Sequence, residues 1–159
     1  AAALERVRGF IDKGAEEGAE VVIDGRERAN NEQTFGDEDI SKGFFIGPTL
    51  FDHVTKDMTI YTEEIFGPVA AVIGFDREEE VIAAANATEY GLAAYIFTDG
   101  LDRALRVSGA LEAGMVGVNR GIISDVAAPF GGVKESGLGR ESGSEGIEEY
   151  LETKYIALR

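Results

Sequence analysis

The sequence contains no cysteine and only one histidine, His53. The missing thiol excludes disulfides, thiolate metal ligands and a cysteine nucleophile within these 159 residues. A single histidine is too few for a histidine-rich metal site, and we expect no bound metal. Ser124 and Asp125 would need His53 beside them to form a hydrolytic triad, and no Gly-x-Ser-x-Gly turn surrounds a serine. We therefore assign no catalytic residue to the chain itself.

Long apolar runs and clustered positive charges are also missing. The longest apolar stretches, such as residues 92–97, fall far short of the roughly 18 residues of a membrane span. Only 15 Lys and Arg stand against 30 Asp and Glu, which gives a formal net charge of -15. Because the cations are scattered singly, we expect no nucleic acid and no membrane as a partner. Glu5 and Arg6 fall where a signal peptide needs its apolar core, so the expected location is cytoplasmic.

The middle of the chain alternates between strand-like and helix-like segments. Apolar segments at 69–75, 93–97 and 115–118 flank two helix-like segments at 77–88 and 101–113. Strands that are apolar throughout, without polar alternation, indicate a parallel sheet covered on both faces. The expected fold class is therefore α/β, and the chain length favours one domain.

The first third of the chain is less regular. Apolar residues at helical spacing predict an amphipathic helix over 1–18 that stops near Gly18. Residues 21–23 are predicted to form a short strand. The polar segment 24–42 is expected to be a surface loop. Residues 44–54 are apolar and β-prone, which predicts an extended, partly paired segment.

Several residues have the types and positions that end helices. Asp76 and Glu79 have the spacing of a capping box for the helix at 77–88, and Gly114 lies where the next helix should end. Near the end of the chain, residues 141–150 predict a short helix and residues 154–158 a last strand.

Glycines are frequent in residues 121–139, before the predicted short helix. Gly131 and Lys134 are too close together for a phosphate-binding P-loop, and residues 137–142 lack the third glycine of the dinucleotide fingerprint. On local pattern alone, the segment is interpreted as a structural turn. By the same reasoning, the adjacent acids Glu63 and Glu64 are interpreted as solvated charges.

Two segments change that interpretation when they are taken together. They are Thr-Glu-Glu-Ile-Phe-Gly-Pro-Val at 62–69 and Pro-Phe-Gly-Gly-Val-Lys-Glu-Ser-Gly-Leu-Gly-Arg-Glu at 129–141. In this order, with the alternating elements between them, they strongly resemble the C-terminal part of the NAD(P)-dependent aldehyde dehydrogenase superfamily. The resemblance covers essentially the whole chain. It implies the parallel-stranded C-terminal part of the α/β catalytic domain, with the larger, N-terminal portion of the enzyme outside this chain.

The resemblance also implies roles for individual residues. Glu64 matches the position whose carboxylate accepts hydrogen bonds from the nicotinamide-ribose hydroxyls, and Phe66 the position beside the nicotinamide end of NAD or NADP. Phe130 matches an aromatic wall of the tunnel for the small aldehyde substrate. The family's nucleophilic cysteine, which forms a thioester with the substrate, would lie outside this chain.

The resemblance is mixed at the level of subfamilies. Gly-Met-Val-Gly-Val-Asn-Arg-Gly-Ile-Ile-Ser at 114–124 looks like succinate-semialdehyde dehydrogenases, in which the residue matching Ser124 helps to hold the far carboxylate of the substrate. Residues 5–12 and 50–55 are more similar to methylmalonate-semialdehyde dehydrogenases, which transfer the acyl group to coenzyme A. Water and coenzyme A therefore both remain open as acyl acceptors. Arg120 and Asp125 depart from the pattern and are expected to face solvent.

The last residues match the family's oligomerisation element. The resemblance divides the chain into a catalytic part, 1–152, and an oligomerisation strand, 153–159, and it implies a homo-oligomer. A non-catalytic interaction or assembly module derived from such an enzyme stays open as an alternative, because an unpaired strand edge can bind a partner.

Overall fold

The computed structural model describes residues 1–27, 34–35, 38–39 and 43–159. By its internal contacts the chain divides into two units, Ala1–Gly74 and Phe75–Arg159. The first unit contains helices α1 (Ala2–Glu16) and α2 (Thr59–Thr62) and strands β1 (Glu20–Ile23), β2 (Thr34–Phe35), β3 (Glu38–Asp39), β4 (Thr49–Asp52) and β5 (Val69–Ala71). The second unit contains helices α3 (Glu78–Asn86), α4 (Leu101–Ala110) and α5 (Glu145–Glu148) and strands β6 (Tyr90–Gly91), β7 (Ala93–Ile96), β8 (Met115–Val118) and β9 (Val133–Lys134).

The first unit is a three-stranded sheet packed against α1. Strand β4 lies in the middle, antiparallel to β1 and parallel to β5. Val7 and Ile11 lie four residues apart on one face of α1, and both are buried against Phe51 of β4. The predicted first helix is confirmed, and Gly18 follows its end with a φ of 98°, a conformation that glycine adopts without strain.

The loop predicted at 24–42 lies largely outside the described residues. Of its described part, β2 and β3 form a short antiparallel pair, which the polar composition did not indicate. The extended segment predicted at 44–54 contains β4 and is confirmed to that extent.

The second unit contains two pairs of strands. Strands β7 and β8 are parallel, as the sequence predicts, and α4 connects them. Strands β6 and β9 form an antiparallel pair. The helices predicted at 77–88 and 101–113 are present as α3 and α4, both slightly shorter than expected.

The predicted helix ends are wrong in detail. The N-cap residue of α3 is Arg77, without a side-chain cap, and its Nε donates to the Glu80 carboxylate at 2.8 Å. The Asp76–Glu79 capping box therefore does not form. Helix α4 ends at Ala110, where Leu111 turns extended, and the Gly114 N–H donates to the Gly91 carbonyl at 3.0 Å.

Burial of the strands also differs from the expectation. All four residues of β1 are exposed, and residues of β7 are only half-buried at best. Within this chain, these strands therefore do not form a sheet that is covered on both faces. Strand β5 ends at Ala71, four residues before the predicted end, and Val72, Ile73 and Phe75 beyond it are exposed.

The end of the chain has neither helix nor strand over residues 151–159. The predicted last strand is thus not formed within the single chain, because none of the described strands pairs with this segment. Its role in oligomerisation stays a prediction. None of the helices among the described residues combines the length and the apolar character needed to cross a membrane.

Candidate functional site

The segment that carries Glu64 and Phe66 leaves the end of α2 in an extended conformation. Glu63, the C-cap residue of α2, has φ -105° and ψ 141°. Ile65 packs against the buried cluster formed by α1 and β4. Ile65 is partly buried there, and the residues on either side of it are more exposed. Glu64 is exposed, and the Phe66 side chain is 82% exposed.

Phe66 has a backbone conformation that is uncommon for an aromatic residue. Its φ is 49°, in the left-handed region, and Gly67 follows it in close contact with α1. A Cβ added at Gly67 would lie 2.6 Å from Val7 Cγ2. A side chain at position 67 would therefore push the segment away from the helix. The segment is held in this shape by contacts with α1 and the core.

In the second unit, Ser124 lies in the segment between β8 and β9. Its side chain is exposed. On one side of it, Arg120 Nε donates to the Ile122 carbonyl at 2.6 Å. On the other side, the Ala127 N–H donates to the Asp125 carboxylate at 2.9 Å. Arg120 and Asp125 are both exposed, as expected, and each is engaged in a local turn.

Phe130 is half-buried at the start of a glycine-rich hairpin. It pairs with Glu141 by two backbone hydrogen bonds, of 2.7 and 2.8 Å. This hairpin borders a cavity of about 560 Å³ that Phe130 lines together with Leu92 and Tyr150. Apart from these residues and Leu138, the lining of the cavity consists of glycines and of polar or charged residues.

Arg140 ties the two sides of this hairpin together. Its Nη1 donates to the carbonyls of Gly132 and Gly139, at 2.8 and 2.6 Å. A Cβ added at Gly131 would lie 2.4 Å from the Gly139 carbonyl oxygen, so only glycine permits this approach. The glycine-rich segment folds tightly on itself, which agrees with the structural turn predicted from its spacing.

The four predicted site residues are thus divided between the two units. Glu64 and Phe66 lie in the first unit, two residues apart on one segment, and both are exposed. Ser124 and Phe130 lie in the second unit, on the connection between β8 and β9. Arg6 and Arg140, which contact these segments, were not recognised from the sequence. Arg6 has the pattern of an ordinary solvated charge on an amphipathic helix, and no local signal distinguishes it.

Comparison with known proteins gives a consistent match. The model of the aldehyde dehydrogenase family matches residues 1–156. The mitochondrial succinate-semialdehyde dehydrogenase of Rattus norvegicus is 49% identical over 154 residues, which are 97% of this chain and 27% of that protein. Among solved structures, an aldehyde dehydrogenase from Brucella melitensis biovar abortus 2308 is 49% identical with a TM-score of 0.84, over 98% of this chain and 30% of that one. An aldehyde dehydrogenase from Bacillus cereus, in complex with NAD+, is 44% identical with a TM-score of 0.81, over 95% of this chain and 28% of that one.

These matches cover nearly the whole chain, although it spans less than a third of the length of each of these relatives. The mixed α/β architecture with parallel strands is shared with the solved structures. On both grounds, the chain belongs to the aldehyde dehydrogenase family.

Proposed function

We propose that this chain is the C-terminal part of the catalytic domain of an NAD(P)-dependent semialdehyde dehydrogenase. The complete enzyme would oxidise succinic semialdehyde to the carboxylate through a cysteine thioester. Because the chain has no cysteine, the nucleophile would lie in polypeptide outside these 159 residues. Family membership and the 49% identity with the rat succinate-semialdehyde dehydrogenase support this proposal.

The observation that carries the proposal is the outward pair formed by Glu64 and Phe66. Within the described residues, the Glu64 carboxylate forms no ion pair, so both of its oxygens are available to accept hydrogen bonds from a ligand. The exposed ring of Phe66, two residues further along the same segment, offers an apolar face. A carboxylate next to an aromatic ring fits a ribose joined to a nicotinamide. NAD or NADP, when bound, accepts the hydride that leaves the substrate.

Ser124 and Phe130 are the residues that we assign to the substrate. The exposed hydroxyl of Ser124 is a donor for the far carboxylate of a semialdehyde, and a hydrogen bond to a charged group is stronger than one between neutral groups. The Phe130 ring, on the edge of its cavity, would pack against the carbon chain. Both contacts bind and orient the substrate without taking part in bond making.

A chimeric enzyme tests the proposal. In it, this chain replaces the aligned 154 residues of the rat succinate-semialdehyde dehydrogenase, which supplies the remainder of the enzyme. We expect the chimera to form NADH or NADPH from succinic semialdehyde, and the 159-residue chain alone to form none. In the chimera, Glu64→Gln should raise KM for the cofactor about tenfold, since a hydrogen bond to a charged group is weakened.

The substrate residues are tested with two aldehydes. Ser124→Ala should raise KM for succinic semialdehyde about tenfold but leave KM for butyraldehyde, which has no far carboxylate, unchanged. Asp125→Asn is the matched control, because Asp125 is exposed and engaged in a local turn. An active chimera in which Glu64→Gln and Ser124→Ala both behave like the parent would refute these site assignments. Turnover by the isolated chain would refute the prediction that the nucleophile lies outside these residues.

We also propose that residues 153–159 take part in forming a homo-oligomer. Residues 155–158 of this segment are apolar or aromatic, and the segment is exposed: Tyr155 is 88% and Leu158 92% exposed. A segment with free backbone donors and acceptors and with exposed apolar side chains favours pairing with another chain. Light scattering of the chimera, complete and ended after residue 152, tests this proposal. We expect the shortened form to have the lower mass, and equal masses would contradict the assignment.

A further inference from the structure

Arg6 contacts the backbone of residues 64–66. Its guanidinium donates three hydrogen bonds to consecutive carbonyls. Nη1 lies 2.6 Å from the Ile65 oxygen and 3.5 Å from the Glu64 oxygen, and Nη2 lies 3.3 Å from the Phe66 oxygen. All three acceptors belong to the main chain, so the side chains of Glu64 and Phe66 remain available for a ligand.

The Arg6 side chain is itself held in place. Its guanidinium carbon lies 5.8 Å from the centroid of the Phe10 ring, within the range of a cation–π contact. Phe10 follows Arg6 by four residues on the same face of α1, and it packs against the buried cluster. The neighbouring Val7 is buried and contacts Gly67. Arg6 and Val7, two consecutive residues of α1, therefore both contact the segment.

The conformation of Phe66 explains why the segment needs contacts that fix its backbone. A bulky residue with φ 49° is strained, and strain of this kind persists only where surrounding contacts fix the backbone. Burial of Ile65 fixes one side of the segment. The hydrogen bonds from Arg6 fix the carbonyl of the Ile65–Phe66 peptide group and the carbonyls of the peptide groups before and after it.

We propose that Arg6 is a positioning residue for the cofactor: it fixes the backbone of residues 64–66 so that the Glu64 carboxylate and the Phe66 ring are presented in one arrangement. The step from backbone to cofactor rests on the function proposed above. The planar guanidinium suits the task, since its two Nη groups point at separate acceptors, whereas a lysine ammonium is a single point of attachment.

The backbone part is tested on the 159-residue chain without any cofactor. Arg6→Ala, Arg6→Lys and the matched control Glu5→Ala, an exposed neighbour on the same helix, are compared by NMR. We expect backbone order parameters of about 0.85 for residues 64–66 in the wild type and the control, and below about 0.6 in Arg6→Ala. The carbonyl carbon shift of Ile65 should move as its short hydrogen bond is lost, and Arg6→Lys should be intermediate.

Wild-type order parameters and carbonyl shifts in a folded Arg6→Ala variant would overturn the proposal. If Arg6→Ala does not fold, Arg6→Lys decides the question. Order parameters and an Ile65 carbonyl shift identical to those of the wild type would then overturn it.

The cofactor part is tested in the chimeric enzyme. A loosened segment must be ordered at the moment of binding, so Arg6→Ala should raise KM for the cofactor about tenfold. At saturating cofactor kcat should be little changed, because the bound cofactor then holds the segment. General structural damage would instead lower kcat and the melting temperature.

Glu64→Gln separates the two proposals. If it raises KM for the cofactor and Arg6→Ala does not, the positioning role is wrong. If neither variant changes KM for the cofactor while the NMR shows a loosened segment, the backbone role of Arg6 stands, and both its link to the cofactor and the proposed cofactor site are wrong.

Discussion

The carboxylate of Glu17 accepts two hydrogen bonds from Thr59, one from its backbone N–H and one from its hydroxyl, each 2.6 Å long. Glu17 is the C-cap residue of α1, and Thr59 is the first residue of α2. The side chain therefore satisfies an otherwise free donor at the start of α2. It also joins the end of one helix to the helix that leads into the Glu64 segment.

This relationship predicts a loss of stability in acid. Two hydrogen bonds hold the pKa of Glu17 below its ordinary value of 4.5. The bond from the Thr59 hydroxyl has the larger effect, and the bond from the Thr59 N–H has the smaller one. A carboxylate with a lowered pKa in the folded state stabilises the fold above its unfolded pKa. That contribution should decline as pH falls from about 4.5 through the folded pKa. Chemical denaturation at a series of pH values measures this change.

Glu17→Gln should remove this part of the pH dependence, since an amide does not titrate. Glu16→Gln is the matched control, because Glu16 is an exposed neighbour in the same turn of α1. We expect the control to follow the wild-type profile. Superimposable profiles of Glu17→Gln and the wild type below pH 4.5 would show that the bonds with Thr59 do not stabilise the fold.

Two glycines of α1 should respond oppositely to alanine. Gly9 is exposed, and a Cβ there meets nothing within 4 Å, so Gly9→Ala should raise the free energy of unfolding by about 0.8 kcal/mol. A Cβ at Gly14 would lie 2.9 Å from Ile60 Cδ1 and 3.1 Å from Phe51 Cζ. Overpacking costs about 1–3 kcal/mol, which outweighs the gain in helix propensity, and Gly14→Ala should therefore destabilise the chain.

Denaturant unfolding of the two variants measures the contrast. The helix and the substitution are the same, so the difference between them reports only the packing of α1 on α2 and β4. Equal stabilisation by both substitutions would mean that Ile60 and Phe51 move aside at little cost.

The helical periodicity of this fold was predictable, whereas the exact helix ends and the contacts between distant residues were not. The spacing of Val7 and Ile11 sets the buried face of α1, and this information lies within a single turn of helix. The capping box at Asp76 failed because the same local pattern competes with other turns, and here Arg77 is the N-cap residue instead. Propensity alone does not settle such a competition.

The candidate site shows the same division. A sequence motif identifies Glu64 and Phe66, but it does not predict the positive φ of Phe66. Aromatic residues by themselves disfavour the left-handed region. The contacts around it come from Arg6, which is 60 residues away in sequence. No pattern of neighbouring residues encodes a contact at that separation, and only the folded chain reveals it.

Arg140 should control the order of the hairpin that carries Phe130. Its guanidinium bridges the carbonyls of Gly132 and Gly139, so Arg140→Ala should destabilise the hairpin by about 1–2 kcal/mol. The amides of Phe130 and Glu141 should then exchange with solvent about tenfold faster, since their mutual hydrogen bonds open more often. Hydrogen exchange followed by NMR measures both amides. Unchanged protection in the variant would mean that the glycine-rich turn holds itself without the arginine.

Asn119 joins the ends of the two parallel strands that precede the Ser124 segment. Its side-chain amide donates to the Thr98 carbonyl and accepts from the Thr98 N–H, both at 2.8 Å, and its φ is 51°. Asn119→Gly keeps the backbone conformation but loses both bonds, and it should cost about 1–2 kcal/mol. Asn119→Ala should cost about 1 kcal/mol more, because a Cβ without a compensating hydrogen bond is unfavourable in the left-handed region.

The order of the two Asn119 variants is the decisive result, and denaturant unfolding establishes it. If alanine is tolerated better than glycine, the strand end relaxes out of the left-handed conformation when the bonds to Thr98 are removed. The positive φ would then be a consequence of the amide bonds. If glycine is tolerated better, the backbone of Asn119 is fixed independently by its N–H, which donates to the Ile96 carbonyl at 2.8 Å.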